Sequence, residues 1–342
     1  MIKVSVIIVN WNGKKWLKEC IESILRQDYQ NLEIIFIDNA STDDSVDFIK
    51  INYPKVIVKV LSENFGFAKA NNIGNQIASG EYILLLNNDT KLKPDCISEM
   101  VKGFIAKKNA GAIQAKLVRM GNEGIIDSCG SFLTLSTILY HYGVGKKSNK
   151  DIYSHPFRVF SSKGACMMIK AEAIKKVGLF DGRYWCYYEE SDFCHRIINN
   201  GFECWYWPNA VCEHHVGGTS VLFGSEIVQY HNLKNKLCSY IKNFSTAMNV
   251  ILLPTAILAA IMQFLPSIIK GNFKSINVLY SAVRWNLVNI NDTLALKKKY
   301  GSNNFNADMT VLKKYIKRPG LSYYLALFKG LEEYNDIEIG SE

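Results

Sequence analysis

Short apolar runs alternate with amphipathic segments through the first 120 residues, and this alternation restricts the chain to few folds. The apolar runs predict strands at 4–9, 32–37, 56–61 and 82–86, and the amphipathic segments predict helices at 14–27, 42–49, 66–78 and 95–107. Strands that are separated by helices form a parallel sheet with right-handed crossovers. We therefore expect an α/β fold built on a doubly wound nucleotide-binding sheet, which binds ligands beyond the carboxyl ends of its strands.

The pattern weakens between 111 and 165, where Gly, Ser and Asn become frequent. It then predicts a strand at 164–170, helices at 171–177 and 189–200, and a strand at 203–207. Hydrophobic residues make up 48% of the chain and charged residues 21%, which excludes disordered, collagenous and multi-span membrane proteins. Nine Cys without a Cys-x-x-Cys pair predict reduced thiols in a cytosolic protein. The first apolar run is too short for an export signal.

Positive charge is concentrated in the C-terminal third. The whole chain has a net charge of +9, whereas residues 230–330 hold 14 Lys and Arg against only Asp292 and Asp308. Within this region, residues 246–269 carry no formal charge and lie between Lys242 and Lys270. Three placements remain open for this run: a buried helical hairpin, insertion into one leaflet or the interface, and a membrane span, which its two Pro residues disfavour. Its basic flanks would favour anionic lipid headgroups.

Polar residues follow three of the predicted strands. The first strand is followed by NWNG at 10–13, the second by DNAS at 38–41, and the fourth by NNDT at 87–90. These residues are also typical of turns and caps, but in a parallel sheet the three clusters converge at one edge. No P-loop and no Gly-x-Gly-x-x-Gly is present, which argues against P-loop NTPases and nicotinamide enzymes. Asp89 has the character of a Mg²⁺ or Mn²⁺ ligand that acts together with substrate phosphates.

Several motifs occur in an order that is specific for one family. They are SVIIVNWNG at 5–13, IDNASTD at 37–43, NFGFAKANNIG at 64–74, LLNNDT at 85–90, GACMM at 164–168, GLFD at 178–181, YEESDFCHR at 188–196 and EHHVGGTS at 213–220. The chain resembles family 2 glycosyltransferases of the GT-A fold, most of all the rhamnosyltransferase-like branch of bacteria and archaea. The resemblance implies a GT-A domain at 1–225, with a nucleotide-sugar-binding half at 1–110 and an acceptor and catalytic half at 111–225, followed by a helical, membrane-associating extension at 226–342.

The resemblance also implies roles for individual residues on the donor side. It places the base, ribose and diphosphate of a nucleotide sugar among the following residues: Asn10, Asn12, Asp38, Asn39, Asn64, Gly66, Asn71, Asn87 and Asn88. Asp89 stands at the last position of the family's Asp-x-Asp motif and would bind Mg²⁺ or Mn²⁺, a Lewis acid for the departing diphosphate. Asn87 replaces the first acid of that motif, which leaves one charge fewer on the metal. His214 matches a family His that completes the metal shell, although a lone His is more often a packed or surface residue.

The general base is expected in the acidic cluster that opens the helix at 189–200, namely Glu189, Glu190 and Asp192. The family pattern is Glu-Asp-x-Asp-Leu with the base at its second residue, which corresponds to Glu190 here, and Asp192 remains a rival. Carboxylates at a helix start are also common as caps and solvated charge. Gly164, Trp185 and Tyr188 are placed on the acceptor side, where the aromatic rings either stack on a sugar or belong to the core.

The resemblance implies an inverting, metal-dependent glycosyltransferase that uses a nucleoside-diphosphate sugar. dTDP-L-rhamnose is one candidate donor, and galactose, glucose and N-acetylhexosamine donors remain open. A saccharide or lipid-linked acceptor at the cytoplasmic face of the cell membrane is expected, in the synthesis of cell-surface polysaccharide or cell wall. A nucleotidyltransferase normally has a Gly-rich loop after its first strand, which this chain lacks. A non-catalytic nucleotide-sugar or carbohydrate-binding protein at the membrane remains the alternative, and a nucleic-acid partner is not expected because the basic region surrounds an apolar run.

Overall fold

A computed structural model describes residues 2–215, 225–269, 271 and 273–329. Its strands are β1 Val4–Asn10, β2 Leu32–Asp38, β3 Ile57–Val60, β4 Tyr82–Asn87, β5 Thr90–Leu92, β6 Ala110–Arg119, β7 Asn122–Ser128, β8 Ser131–Phe132, β9 Tyr140–His141, β10 Phe157–Val159, β11 Cys166–Lys170 and β12 Glu203–His214. Its α-helices are α1 Lys14–Leu25, α2 Ser45–Asn52, α3 Gly66–Ile77, α4 Cys96–Ala106, α5 Ala171–Val177, α6 Glu189–Asn199, α7 Ser225–Asn243, α8 Thr246–Ile269, α9 Lys274–Val288, α10 Ile290–Tyr300, α11 Phe305–Tyr315 and α12 Leu321–Lys329.

The expected α/β fold is confirmed. The main sheet has the strand order β10-β12-β6-β11-β4-β1-β2-β3, and strands β1 to β4 are mutually parallel with helices between them. β11 runs antiparallel to β4 and β6, so the sheet as a whole is mixed. The strand order reverses at β1, which lies between β2 and β4, and the gap beyond such a reversal is where open α/β sheets bind ligands.

Helices cover both faces of the sheet and enclose an apolar core on each side. Successive residues of β1 point to opposite faces, so that Val6 and Ile8 pack in one core while Ile7 packs in the other. A third apolar cluster joins the C-terminal helices to the first part of the chain through Leu133, Phe160 and Tyr188. All nine Cys are unpaired, and all but Cys186 are buried.

Three sequence-based predictions differ from the structure. The helix predicted at 42–49 begins only at Ser45, because Asp43 accepts a 3.1 Å hydrogen bond from the Ser45 amide. The strand predicted at 203–207 extends to His214, because β12 pairs with β6 along most of its length. The irregular stretch at 111–165 contains five strands, β6 to β10, whose residues alternate too weakly in hydrophobicity to stand out.

The C-terminal helices are joined to the sheet domain by buried charges. Lys242 of α7, with 1% of its side chain exposed, lies 2.7 Å from Asp181 and 3.0 Å from Asp192. Arg196 of α6 lies 3.0 Å from the same Asp192 oxygen. Lys242 was expected to flank the apolar run as a cation for lipid headgroups, and that expectation is wrong, because its ammonium group is enclosed by these carboxylates.

α8 is a single helix that coincides with the uncharged run. Its first 21 residues, Thr246–Pro266, are long and apolar enough to cross a membrane, and 28% of their most apolar stretch is buried. The expectation of a buried helical hairpin is therefore not met. Instead, α8 presents a row of exposed apolar side chains, Val250, Ile251, Leu258, Ile261, Met262, Leu265 and Ile269.

Candidate active site

A cavity of about 690 Å³ lies beyond the carboxyl ends of β1, β2 and β4. Parts of the chain that are distant in sequence form its walls: the ends of β4 and β12, the start of α6, and one face each of α7 and α8. The predicted site residues that line it are Asn39, Asn64, Gly66, Asn87, Asn88, Asp89, Trp185, Tyr188, Glu189, Glu190 and His214. The predicted site residues that do not line it are Asn10, Asn12, Asp38, Asn71, Gly164 and Asp192.

A hydrogen-bond network behind the cavity connects the ends of β1, β2 and β4. The fully buried Asn10 accepts a 2.6 Å hydrogen bond from Asn88 and donates to Asp38 at 3.2 Å and to Ser41 at 3.1 Å. Asp38 in turn accepts a 2.9 Å hydrogen bond from the Ser41 amide. The three strand-end clusters therefore converge, and Asn10 and Asp38 hold them together beneath the surface of the cavity.

Asn12 and Asn39 shape the turns on either side of this network. Asn12 adopts a left-handed backbone with φ of 51° and accepts a 2.7 Å hydrogen bond from the Thr42 amide. Asn39 donates to Asn64 at 2.8 Å, and Asn64 accepts from the Gly66 amide at 3.0 Å. Both side chains thus bind neighbouring turns.

Gly66 and Asn71 belong to the start of α3. Gly66 has φ of 80° and lies against Trp185, where any side chain would clash with the indole. Trp185 donates a 3.3 Å hydrogen bond to the Asn64 carbonyl and so covers this loop. Asn71 is buried and donates to the Phe67 carbonyl at 2.9 Å within its own helix, and its side chain does not line the cavity.

Asp89 and His214 meet because β5 pairs with β12. In that antiparallel pairing Thr90 lies opposite His214, which places His214 Nε2 3.5 Å from Asp89 Oδ1. The other imidazole nitrogen, Nδ1, lies 2.9 Å from Asp127 Oδ2. A carboxylate that binds the far nitrogen of a metal-binding His fixes the orientation of its ring. Residues 216–220 of the last motif lie outside the described residues.

Charges around His214 are balanced within the site. Burial alone would lower the pKa of His214. Hydrogen bonds and charge interactions with Asp127 and Asp89 outweigh this effect and raise the pKa of His214 to about 9. The pKa of Asp127 is lowered despite its burial, because Lys163 lies 2.8 Å away and His214 binds it from the other side. Asp127 and Lys163 were missed by the sequence analysis; Asp127 lies in no recognisable motif, while Lys163 directly precedes the GACMM motif.

Asp89 and His214 offer a divalent cation one carboxylate and, once the cation displaces a proton from the ring, one imidazole. Among the described residues no group of three or more His, Cys, Asp or Glu side chains is arranged to hold a metal ion. Mg²⁺ and Mn²⁺ commonly bind through one or two protein groups and take their remaining ligands from substrate phosphates and water. The residues present therefore fit a cation that is shared with a diphosphate, and they do not fit a closed structural metal site.

Glu189 and Glu190 project into the cavity from a strained turn. Tyr187 and Tyr188, which precede them, both adopt left-handed backbone conformations, with φ of 67° and 69°. Asn235 of α7 holds this turn by donating to the carbonyls of Cys186 and Tyr187 at 2.9 and 2.7 Å. Strained backbone of this kind persists only where surrounding contacts enforce it, and it is frequent at functional sites.

The two glutamates differ in their surroundings. Burial and the neighbouring Glu190 raise the pKa of Glu189 far above its usual range, and Glu189 Oε2 has no hydrogen-bond partner among the described residues. Burial also raises the pKa of Glu190, but the Gly164 amide donates to it at 3.0 Å and Lys163 lies nearby. Two adjacent buried carboxyls resist simultaneous ionisation. Because the Gly164 amide and Lys163 stabilise the ionised form of Glu190, Glu190 ionises before Glu189.

Asp192, on the same helix, does not line the cavity. It is fully buried, pairs with Arg196 and Lys242, and accepts a 2.8 Å hydrogen bond from Asn243. These cations lower the pKa of Asp192 although its burial acts in the opposite direction. The structure thus separates Asp192 from the cavity and gives it the surroundings of a structural anion.

The residues expected on the acceptor side have different surroundings. Tyr188 is 7% exposed and packs in the third apolar cluster, where its ring lies 6.4 Å from that of Tyr240. Trp185 is partly exposed and lines the cavity. Gly164 lies behind Glu190: a Cβ at this position would come within 2.8 Å of Glu190 Oε1, so the absence of a side chain permits the hydrogen bond to its amide.

Comparison with known proteins identifies a sequence family for the first half of the chain. The sequence model described as "Glycosyl transferase family 2" matches residues 5–177, half of the chain. Glycosyltransferase GlyG of Streptococcus pneumoniae is 35% identical over 113 residues, which are 32% of this chain and 37% of that protein. An uncharacterised glycosyltransferase of Rickettsia typhi is 30% identical over 183 residues, 52% of this chain and 53% of its own. The aligned part thus spans about half or less of these relatives.

Solved structures share the fold. GalNAc-T7 with UDP, GalNAc and Mn²⁺ superposes with a TM-score of 0.58 over 73% of this chain and 50% of that chain, at 17% identity. The mannosyltransferase PcManGT from Pyrobaculum calidifontis, in complex with GDP-Man and Mn²⁺, superposes with a TM-score of 0.52 over 97% of this chain and 83% of that chain, also at 17% identity. These likenesses identify the GT-A fold with a helical C-terminal region.

The steric contact at Gly13 provides a test of the strand-end network. A Cβ at this position would clash with Asn88 and Asn10, although the Gly13 backbone, with φ of −110°, permits alanine. Gly13→Ala should therefore lower the free energy of unfolding by about 1–3 kcal/mol. Urea unfolding measures the change. Gly182→Ala is the control, because a Cβ there would have no described atom within 4 Å; equal losses in both variants would contradict this account of the network.

Proposed function

The chain belongs to glycosyl transferase family 2, and we propose from this premise that it transfers a sugar from a nucleoside-diphosphate donor to an acceptor hydroxyl with inversion at the anomeric carbon. The observation that carries the proposal is the single cavity that unites Asp89, His214 and Glu190. Such a cavity can bind the diphosphate of the donor and also hold the acceptor hydroxyl beside a basic carboxylate. The UDP and GDP-Man bound by structural neighbours support a nucleotide-linked donor.

Glu190 serves as the general base in this proposal. As the acceptor oxygen attacks the anomeric carbon, its proton passes to the Glu190 carboxylate, and the bond between that carbon and the diphosphate oxygen breaks. Burial makes Glu190 a stronger base than a solvated carboxylate, while the Gly164 amide fixes its orientation. Glu189, whose pKa is raised further, stays protonated beside it.

The part of the cavity around Asp89 and His214 receives the leaving diphosphate. Lys163 and Arg119 also line the cavity and supply positive charge, and Asp127 holds His214 and Lys163 in place. Asp89 and His214 would hold Mg²⁺ or Mn²⁺, and the cation would supply Lewis-acid stabilisation of the diphosphate charge. The Mn²⁺ in both neighbours supports this assignment.

The donor sugar, acceptor and pathway extend the proposal. By resemblance, dTDP-L-rhamnose is a candidate donor, and the acceptor is a saccharide or lipid-linked saccharide in cell-surface polysaccharide or cell-wall synthesis. The alternative of a non-catalytic binding protein is less well supported. Two strained residues and Asn235 hold Glu190 in the cavity, and a protein that only bound sugar would not require a buried carboxylate of raised pKa there.

The C-terminal helices support attachment to the inner face of the cell membrane, without a full span. The exposed apolar row of α8 continues on α9 through Ile276, Tyr280 and Leu287, and Arg284 lies on the same exposed face. Monomeric soluble proteins rarely expose so extensive an apolar patch. The surrounding exposed cations, among them Lys274 and Arg284, would contact anionic headgroups. Residues 226–342 then form a membrane-associating extension.

Replacement of the base tests the reaction. Glu190→Gln should reduce kcat by about 10²–10⁴-fold with little change in donor KM, because the variant cannot accept the proton. In the wild type, kcat/KM should fall as the pH drops through a pKa above that of an ordinary glutamate, since only the ionised base is active. A panel of nucleotide sugars with and without Mn²⁺ identifies the donor first. Glu172→Gln, at an exposed site on α5, is the control; wild-type rates in Glu190→Gln would overturn the assignment.

Replacement of Asp89 tests the metal site separately. Thermal unfolding is measured with UDP, GDP or dTDP in the presence and absence of Mn²⁺. The wild type should gain thermal stability from one of these nucleotides only when Mn²⁺ is added, and Asp89→Asn should lose that gain because its amide carries no charge. Asp47→Asn, at an exposed site on α2, should behave as the wild type. A metal-dependent gain that survives in Asp89→Asn would exclude Asp89 as the ligand.

Substitutions on α8 test membrane attachment without removing α7, whose Asn235 and Lys242 hold the catalytic half. Glutamate at Leu258, Met262 and Leu265 should weaken binding to anionic lipid vesicles at least tenfold, because charged side chains would have to leave water. Co-sedimentation measures the binding. The matched control places glutamate at Leu25, Ile51 and Ile105, which are at least as exposed and lie on the sheet domain. Equal binding by the two triple variants would contradict attachment through α8.

A further inference from the structure

The cavity extends beyond the region between Asp89 and Glu190 into an arm that the reaction leaves unexplained. One face of α7 forms one side of this arm, through Val228, Gln229, Asn232, Leu233 and Lys236. Ala260, Gln263 and Phe264 of α8 form a second side, and residues 137–139 a third. The arm is thus built largely from the C-terminal helices.

Three polar groups in this arm have no partner among the described residues. Lys236 Nζ makes no hydrogen bond or ion pair there, and its burial lowers the pKa to about 8. The Oγ1 atom of Thr137 is buried and unpaired in a residue that is 2% exposed. Gln229 Oε1 is likewise buried and unpaired. The two buried oxygens are unusual in a folded protein, because each lacks the hydrogen bonds it would make in water, whereas Lys236 is half-buried and its side chain lines the cavity.

One hydrogen bond places Thr137 beside the Lys236 face of α7. The Thr137 carbonyl accepts a 3.2 Å hydrogen bond from Tyr240, which is one helical turn beyond Lys236. Thr137 itself adopts φ of 63°, which is unfavourable for a β-branched residue. The Lys236 ammonium group and the Thr137 hydroxyl therefore lie on neighbouring sides of the arm, and both can donate hydrogen bonds to an anion.

The arm opens next to the exposed apolar row of α8. Gln263 lines the arm and is exposed, so the arm reaches the protein surface at this residue. Its sequence neighbour Met262 is 55% exposed, and Leu265 is 39% exposed on the same helix. A ligand that passes this opening therefore has an apolar surface outside and Lys236 inside.

We propose that this arm is an acceptor subsite in which Lys236 and Thr137 bind a phosphate group carried on an apolar chain, with the chain leaving past Gln263 along α8. The inference rests on the proposed function, because it supplies an acceptor for the same cavity. The sugar of such an acceptor would extend from Lys236 toward Glu190, since both line one continuous cavity.

Binding of simple probes tests the proposal without any donor. Calorimetry, below the micelle-forming concentration of the lipids, compares farnesyl phosphate, farnesol and inorganic phosphate. The wild type should bind farnesyl phosphate about tenfold to hundredfold more tightly than either of the other two, because only this probe fills both the cationic and the apolar parts. Equal binding of farnesyl phosphate and farnesol would overturn the role of the cation, and equal binding of farnesyl phosphate and inorganic phosphate would overturn the role of the chain.

Variants assign the effect to Lys236. Lys236→Gln should reduce farnesyl phosphate binding to the level of farnesol, whereas Lys236→Arg should keep the preference. Lys298→Gln removes an exposed charge from α10 and should have no effect. Thermal unfolding confirms that each variant is folded. Unchanged binding in folded Lys236→Gln would refute the subsite. Turnover of nucleotide sugars is measured separately in the wild type, so failure of the proposed transferase activity is distinguishable from failure of this site.

Discussion

The buried charges around Asp192 are the interaction on which the rest of the structure depends. Asp192 and Asp181 lie among Arg196, Arg183 and Lys242, and each of these cations binds a carboxylate at 3.0 Å or less. Such a cluster adds little net stability compared with an apolar core, but loss of one member leaves a buried charge without a partner and costs about 3–5 kcal/mol. The cluster therefore fixes the position of α6 relative to α7. Its geometry determines where the turn before Glu190 lies.

This dependence explains why the glycosyltransferase domain and the C-terminal helices enclose one cavity. Asn235 lies on α7 two turns before Lys242, so the helix that the charges hold also donates to the strained turn at Tyr187. Pairing of β5 with β12 brings His214 to Asp89. Two long-range contacts thus position the side chains that we propose as the general base and as the diphosphate site. Neither contact lies within the sheet of β1 to β4, which supplies the frame.

Much of the frame was predictable because its signals are local. The strands near Val4 and Tyr82 are continuous apolar runs, and parallel pairing brings Asn10, Asp38 and Asn88 together whatever the remainder of the chain does. The pairing of β5 with β12 was not predictable, because it joins residues more than 100 positions apart and β5 is only three residues long. Asp127 was missed for the same reason: its role depends on a neighbour that the sequence does not place beside it.

The basic C-terminal region shows the same limit in terms of charge. The sequence shows only how many Lys and Arg residues the region has, whereas the structure shows which of them are buried. Lys234, Lys242 and Lys297 are 3%, 1% and 6% exposed and bind protein groups. Lys274 and Arg284 remain on the surface, and Lys236 faces the cavity. Because a buried cation cannot attract lipid headgroups, the proposed attraction of this region to a membrane would be weaker than its total charge implies, and the exposed apolar row of α8 would have to supply more of it. In the proposed attachment the extension would therefore act through apolar surface as well as charge, with α7 holding the turn before Glu190 and α8 facing the membrane.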